Sequence, residues 1–258
     1  MTKDQPLILI TNDDGINAEG IRYLRMAAEK LGEVFLVAPE TEQSAVGHSI
    51  TLYDPIKVHE ISRNGSFYGY GISGTPADSV KLALYSILPR QPDLVISGIN
   101  NGANVGINVL YSGTVSAATE AAMLGIPAMA VSLAQKKLPP FHWALPHVER
   151  LIRWLLKFKL PRGVALNVNV PALPPERILG YKLTRQCLSK ARESFEQRED
   201  PRGNNYYWLS GEIPTDETDG EIDAVALMNG YVSITPLFYD LTAHSCMEDL
   251  LSSLKKLK

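Results

Sequence analysis

An α/β fold built on a parallel sheet is the architecture the sequence predicts, and three observations predict it. A strand–helix–strand pattern fits between Leu7 and Pro39. The same alternation returns between Thr75 and Val170. The 258-residue chain, with 45% hydrophobic and 21% charged residues, carries enough apolar surface for a large core and too much for a disordered chain.

Leu7–Thr11 is a short apolar run that ends in the polar turn Asn12-Asp13-Asp14-Gly15, the mark of a buried strand entering a loop. Ile21, Leu24, Ala28 and Leu31 then recur at helical spacing until Gly32 stops them. Val34–Ala38 is a second apolar run, closed by Pro39, and alternation between Ile50 and Ile72 predicts a hairpin. Thr75-Pro76-Ala77-Asp78 is a helix start, with Thr as N-cap, Pro at the first helical position and an acid in the first turn. Leu94–Ser97 predicts a strand, Ser116–Leu124 a helix of small residues ended by Gly125 and Pro127, and Ala128–Ser132 another strand. Trp143–Leu160 reads as a long amphipathic helix and Ala165–Val170 as a further strand.

The last third is different. Ser189–Asp219 is polar with little periodicity; Gln197–Asn205 reads as a turn-like tip and Tyr206–Leu209 as a strand leaving it. This segment is either a solvated loop or an arm that reaches a neighbouring subunit. Met247, Leu250, Leu251, Leu254 and Leu257 form one helical stripe, expected to pack on the chain's own core or else on a partner.

Charge and cysteine content exclude several functions. Lys plus Arg is 25 and Asp plus Glu is 28, a net charge of −3, which lacks the basic surplus that binding to a nucleic acid polymer or an anionic membrane requires. Cys187 and Cys246 are too few for a disulfide framework or a four-cysteine zinc site. No apolar stretch approaches the ~18 residues of a membrane span. No signal-peptide core follows Met1–Pro6, so a cytoplasmic setting is expected. P-loop, HExxH, CxxC and GxSxG patterns are absent, and no GxGxxG follows the first strand.

The residues that carry chemistry gather at strand ends, the edge where open α/β sheets bind ligands. The adjacent carboxylates of Asp13 and Asp14 repel and call for a counter-charge, for which an oxygen-bound hard divalent cation is the natural choice; the alternative is a solvated turn. Pro39–Thr51 follows the second strand with small hydroxyls and Gly47. His48 within it is either a hydrogen-bonded structural residue or a catalyst. Ser97–Gly106 offers three glycines and three asparagines, and Ser112-Gly113-Thr114 opens a helix whose N-terminus suits an anion. From Gln91 through Gln135 there is no Lys, Arg or His, where the chain's average predicts roughly four Lys or Arg. A phosphate bound in this region is therefore held by a metal ion, backbone amides and hydroxyls, with any side-chain cation supplied from elsewhere in the chain.

Five blocks occur in one order: Asn12-Asp13-Asp14-Gly15; Ala38-Pro39 through Ser44 to Gly47-His48-Ser49-Ile50-Thr51; Gly74-Thr75-Pro76-Ala77-Asp78; Ser97-Gly98-Ile99-Asn100 with Gly102 and Asn104; and Tyr111-Ser112-Gly113-Thr114-Val115. Together they closely resemble the SurE (survival protein E) family of 5′/3′-nucleotidases. The match runs from Leu7 to about Leu133 and resumes at Ile234–Leu237 and Asp240–His244.

The resemblance implies a metal-dependent phosphatase acting on nucleoside 5′- and 3′-monophosphates, in some members also on short polyphosphate. It implies a Rossmann-like three-layer α/β/α sandwich over residues 1–186. Residues 187–258 would form a C-terminal extension (protruding arm, closing strand and terminal helix) exchanged between subunits of a homodimer or homotetramer. It places Mg²⁺ or Mn²⁺ on Asp13, Asp14, Ser44 and Asn100, and the phosphate on Asn104, Ser112, Gly113 and Thr114, with backbone amides of Gly113 and Thr114 stabilising charge. The nucleophile stays open between water and a covalent route through Asp13 or Asp14. Two rival functions remain at this point: a metallophosphatase with broader substrates, and a nucleotide-binding regulatory module without catalysis.

Overall fold

A computed structural model describes residues 5–134, 140–189, 192–212 and 217–257. Strand β1 (Leu7–Thr11) leads into helix α1 (Glu19–Ala28) and strand β2 (Glu33–Pro39), followed by the hairpin of β3 (Val58–Arg63) and β4 (Ser66–Ile72). Helix α2 (Pro76–Leu82), β5 (Leu94–Asn101), α3 (Gly113–Met123), β6 (Ala128–Ala134), α4 (Leu145–Leu155) and β7 (Val164–Pro171) continue the alternation. Then come β8 (Gly180–Leu183), β9 (Arg192–Glu199), β10 (Asn205–Glu212), α5 (Asp223–Met228), β11 (Tyr231–Phe238) and α6 (Met247–Leu254).

Nine strands form one sheet in the order β3-β4-β2-β1-β5-β6-β7-β11-β8. From β4 to β7 all neighbours are parallel; β3 and β11 run antiparallel to their partners β4 and β7. Side chains alternate across the sheet as strand geometry requires. Ile8 and Ile10 enter a core with Leu24 of α1 and Ile152 of α4, whereas Leu9 enters the opposite core with Val80 of α2 and Ala118 of α3. The result is the three-layer, Rossmann-like α/β/α sandwich. Ala117, Ala118 and Ala121 are small enough to bring α3 close to the strands, and all three are fully buried.

The chain proceeds from β1 to β2 on one side and returns to β5 on the other side of β1. Such a reversal leaves a crevice outside the carboxyl ends of the two strands, where ligands bind in sheets of this kind. Helix α2 starts with a complete capping box, as Thr75 and Asp78 predict, and a cap of this type contributes about 1 kcal/mol. Asp78 also accepts from the backbone N–H and hydroxyl of Thr51, the latter at 2.7 Å, which ties the long loop after β2 to the helix.

Three expectations change. The helix expected over Trp143–Leu160 is shorter: Phe141–Trp143 is a separate 3-10 turn, α4 starts with Pro146 in its first turn, and it ends at Leu155. The apolar periodicity runs through turns on both sides, so it overstates the helix. The region 187–258 is not wholly an appendage. Its β9–β10 hairpin forms a separate two-stranded sheet, but its closing strand β11 lies inside the main sheet between β7 and β8. Residues 190–191 and 213–216 of the Ser189–Asp219 segment lie outside the described residues. Finally, the terminal stripe forms on α6 but does not pack on the chain's own core, since Met247, Leu250, Leu251 and Leu254 are each at least 55% exposed.

Candidate active site

Three loops and one helix end meet at the crevice between β1 and β5. Asn12 Nδ2 donates to the Gly15 carbonyl at 2.9 Å and closes the turn that carries Asp13 and Asp14. The Gln43 N–H donates to the Asp13 carbonyl at 2.7 Å, and the Gly47 N–H to the Tyr111 carbonyl at 3.0 Å. The loop after β2 is thereby laced to the loop after β1 and to the segment before α3. In β5 the pairing with β6 shifts register between Ser97 and Asn100. Gly98 there adopts φ +134°, and a Cβ on it would lie 2.3 Å from the Val131 carbonyl oxygen, so only glycine fits this turn of the strand into the site.

These segments line one cleft of about 660 Å³. Its walls include Asp13, Asp14, Glu42, Ser44, Asn100, Asn101, Asn104 and Ser112, with Ala45, Asn108, Tyr111 and Leu209 toward the rest of the cavity. No Lys, Arg or His stands among these lining residues. Three carboxylates therefore share a partly enclosed space without a side-chain counter-ion. Burial, the Asp13 charge and the Glu42 charge push Asp14 up to about 6. Burial raises Asp13 as well, against the hydrogen bonds from Thr114.

A hard divalent cation fits this donor set: the buried carboxylate of Asp13 and the half-buried one of Asp14, both lacking positive partners in the lining, with the hydroxyl of Ser44 and the amide oxygen of Asn100 beside them. Asn100 Nδ2 is engaged with the Gly102 carbonyl at 2.9 Å, which commits its nitrogen and leaves its oxygen as the donor atom. Ser44 Oγ donates to Glu42 Oε1 at 2.6 Å, leaving its lone pairs for a cation. Among the described residues there is no group of three or more His, Cys, Asp or Glu arranged to hold a metal, so neutral oxygens must complete any such site.

The expected phosphate-side residues divide. Asn104 and Ser112 line the cleft. The Ser112 hydroxyl is the N-cap of α3, accepting from the Val115 N–H at 3.1 Å. Thr114 turns away from the cleft: it is fully buried, and both its hydroxyl and its backbone N–H serve the Asp13 carboxylate. Both of these groups of Thr114 thus bear on Asp13. Gly113 packs directly against Asp13, and a Cβ there would lie 2.8 Å from the Asp13 Cβ. Thr114→Ala is accordingly expected to lower kcat and metal affinity together, each by about tenfold or more. Titration of the variant with Mn²⁺ checks this, and unchanged affinity would speak against the positioning role.

Asn104 is held by polar residues of two strands that sequence reasoning did not single out. Its backbone N–H donates to Asn169 Oδ1 at 2.8 Å, its carbonyl accepts from Asn167 Nδ2 at 2.7 Å and Asn169 Nδ2 at 3.1 Å, and its side chain donates to Ser132 Oγ at 2.9 Å. Asn167, Asn169 and Ser132 are fully buried on β7 and β6. Asn169→Ala leaves a buried backbone N–H without a partner, at a cost of about 1–3 kcal/mol. It should lower kcat more than it weakens Mn²⁺ binding, because no proposed cation donor touches Asn169. The pairing of alternate asparagines with polar residues in adjacent strands is the signal that identifies this support.

His48 lies outside the cleft. Its Nε2 shares a hydrogen bond with Glu120 at 2.8 Å, and Lys81 Nζ donates to the other oxygen of Glu120 at 3.1 Å. Burial works to raise the Glu120 carboxyl, but the hydrogen bonds from His48 and Lys81 hold it below the usual range. His48 and Lys81, both from outside the Gln91–Gln135 segment, thus pair with Glu120 and not with the cleft carboxylates.

The family model described as Survival protein SurE matches residues 8–193. A 5′-nucleotidase SurE of Syntrophobacter fumaroxidans is 51% identical over 94% of this chain and 97% of its own length. One of Syntrophus aciditrophicus is 47% identical over 96% and 94%. Among solved structures, that of a SurE protein from Aquifex aeolicus superposes with a TM-score of 0.84 at 40% identity, covering 95% of this chain and 98% of the other.

Proposed function

This chain belongs to the survival protein SurE family, and from that membership we propose a metal-dependent 5′-nucleotidase that hydrolyses nucleoside 5′-monophosphates to nucleoside and phosphate in the cleft between β1 and β5. The observation that carries the reading is the convergence of Asp13, Asp14, Ser44 and Asn100 on one cavity lined by carboxylates and no cationic side chain. A regulatory module without catalysis has no need of that donor set, and relatives of nearly full length bear the name nucleotidase.

Asp13, Asp14, Ser44 and Asn100 would hold Mg²⁺ or Mn²⁺, whose chemistry is to polarise the phosphoryl group and ease attack at neutral pH. Asn104 and Ser112 orient the phosphate beside the first turn of α3, whose dipole favours an anion. Thr114 fixes Asp13 and so keeps one of its oxygens occupied. This makes Asp13 a poor nucleophile, and water is the preferred one. A phospho-enzyme trapped with labelled AMP would contradict that choice. A cleft of about 660 Å³ has room for a nucleoside beside the phosphate, which is compatible with 3′-monophosphates as well as 5′.

The exposed apolar stripe of α6 supports a homodimer or homotetramer built on C-terminal elements. Both cysteines are free, which fits a reducing cytoplasm. No described helix is long and apolar enough to cross a membrane. Phosphate release from AMP, measured with Mg²⁺ or Mn²⁺ and with EDTA as control, tests the function. Release that EDTA does not suppress would refute the metal requirement.

A further inference from the structure

The lining of the cleft mixes two kinds of surface. Beside the acidic and amide groups of Asp13, Asp14 and Asn100 it includes two large side chains, Tyr111 and Leu209. They arrive from separate parts of the chain. Tyr111 ends the 3-10 turn before α3 and is fixed by its backbone, its N–H donating to the Asn108 carbonyl at 3.1 Å and its carbonyl accepting from Gly47. Leu209 belongs to β10 of the hairpin that pairs with no strand of the main sheet. Tyr111 is 53% exposed and Leu209 61% exposed, a costly way to leave two large apolar surfaces beside a charged site unless something covers them.

Building on the nucleotidase reading, we propose that Tyr111 and Leu209 form the nucleobase subsite of this cleft, so that the β9–β10 hairpin selects nucleotides over small phosphate esters. A phosphate occupies a small part of about 660 Å³, and the space left over takes a nucleoside. An uncharged planar ring suits an aromatic and an aliphatic wall, because stacking needs a π face and no particular edge. The lining also includes the side-chain amides of Asn101 and Asn108, each both donor and acceptor. Such groups satisfy the edge of any base, so the subsite recognises that a base is present without reading which one. The same register continues outward along the hairpin. Leu209 sits opposite Phe195, and Tyr207, two residues before Leu209, lies on the same face of the hairpin.

The experiment compares AMP with glycerol 2-phosphate, both measured on the full chain in the presence of Mn²⁺. Leu209→Ala and Tyr111→Ala should each raise KM for AMP by about tenfold, with kcat within about twofold of the wild type and kcat/KM for glycerol 2-phosphate unchanged. Leu209→Met and Tyr111→Phe, which keep the apolar walls, should restore the AMP KM. An equal loss on both substrates, or no change on either, would overturn the subsite, as would failure of the conservative variants to restore KM. A wild-type enzyme that hydrolyses glycerol 2-phosphate but not AMP would instead overturn the nucleotidase reading on which the subsite rests.

Discussion

Asp14→Asn is expected to reduce metal-dependent phosphate release from AMP by roughly a thousandfold or more, equivalent to about 4 kcal/mol of transition-state stabilisation. The substitution is nearly isosteric and removes one charge from a cavity where three carboxylates stand together. The folded protein has little need of that charge. Burial and the neighbouring Asp13 and Glu42 all act against ionisation of Asp14, and a backbone hydrogen bond from Asn101 is what favours it. Relieving the repulsion should therefore leave the thermal midpoint unchanged or raised while activity disappears. Activity assays and thermal unfolding on one preparation separate the two effects. A variant with near-normal turnover would remove Asp14 from the site, and one that loses activity by unfolding would assign it to stability.

The second large effect is expected at Gly113. An alanine Cβ there would sit 2.8 Å from Asp13 Cβ, 3.1 Å from Asp13 Oδ2 and 3.1 Å from Pro76 Cγ. Helix α3 has little room to retreat, because Ala117, Ala118 and Ala121 pack on the sheet and Ser112 caps its first turn. Asp13 must yield instead, and with it the carboxylate that Thr114 holds in place. Displacement of a reacting group by an ångström costs about a hundredfold in rate. Gly113→Ala should thus lower kcat by about that factor while destabilising the fold by about 1–3 kcal/mol. Steady-state kinetics with urea unfolding provides the check. Wild-type kcat in this variant would show that the approach of α3 to Asp13 has no part in catalysis.

Much of this was legible in the sequence, because each loop at the crevice carries its own turn chemistry. Asn12 to Gly15 closes on itself, Thr75 and Asp78 form the capping box, and Ser112 caps α3 as its hydroxyl predicts. Alternating apolar runs placed the parallel strands, and strand ends placed the loops. Tertiary direction is what sequence periodicity lacks. Thr114 follows Gly113 directly, yet it faces Asp13 from the buried side, and no local pattern distinguishes that from facing the cleft. Tyr206–Leu209 was legible as a strand leaving a tip, but Phe195 and Leu209 are both exposed, so no buried face in the pattern announces β9 or the approach of Leu209 to the site. The position of β11 between β7 and β8 is a matter of strand order, which hydrophobic pattern leaves open. The stripe on α6 was visible as a pattern, but a stripe alone does not tell a helix packed on the core from one that stands clear of it, as α6 does.

The proposed chemistry requires one divalent cation on the carboxylates of Asp13 and Asp14, beside Ser44 and Asn100. Anomalous diffraction at the manganese edge from crystals soaked in Mn²⁺ tests it most directly. A single strong peak within metal–oxygen bonding distance of both carboxylates, absent from Asp14→Asn crystals, is the predicted result. A peak elsewhere, or one that persists undiminished in the variant, would contradict it.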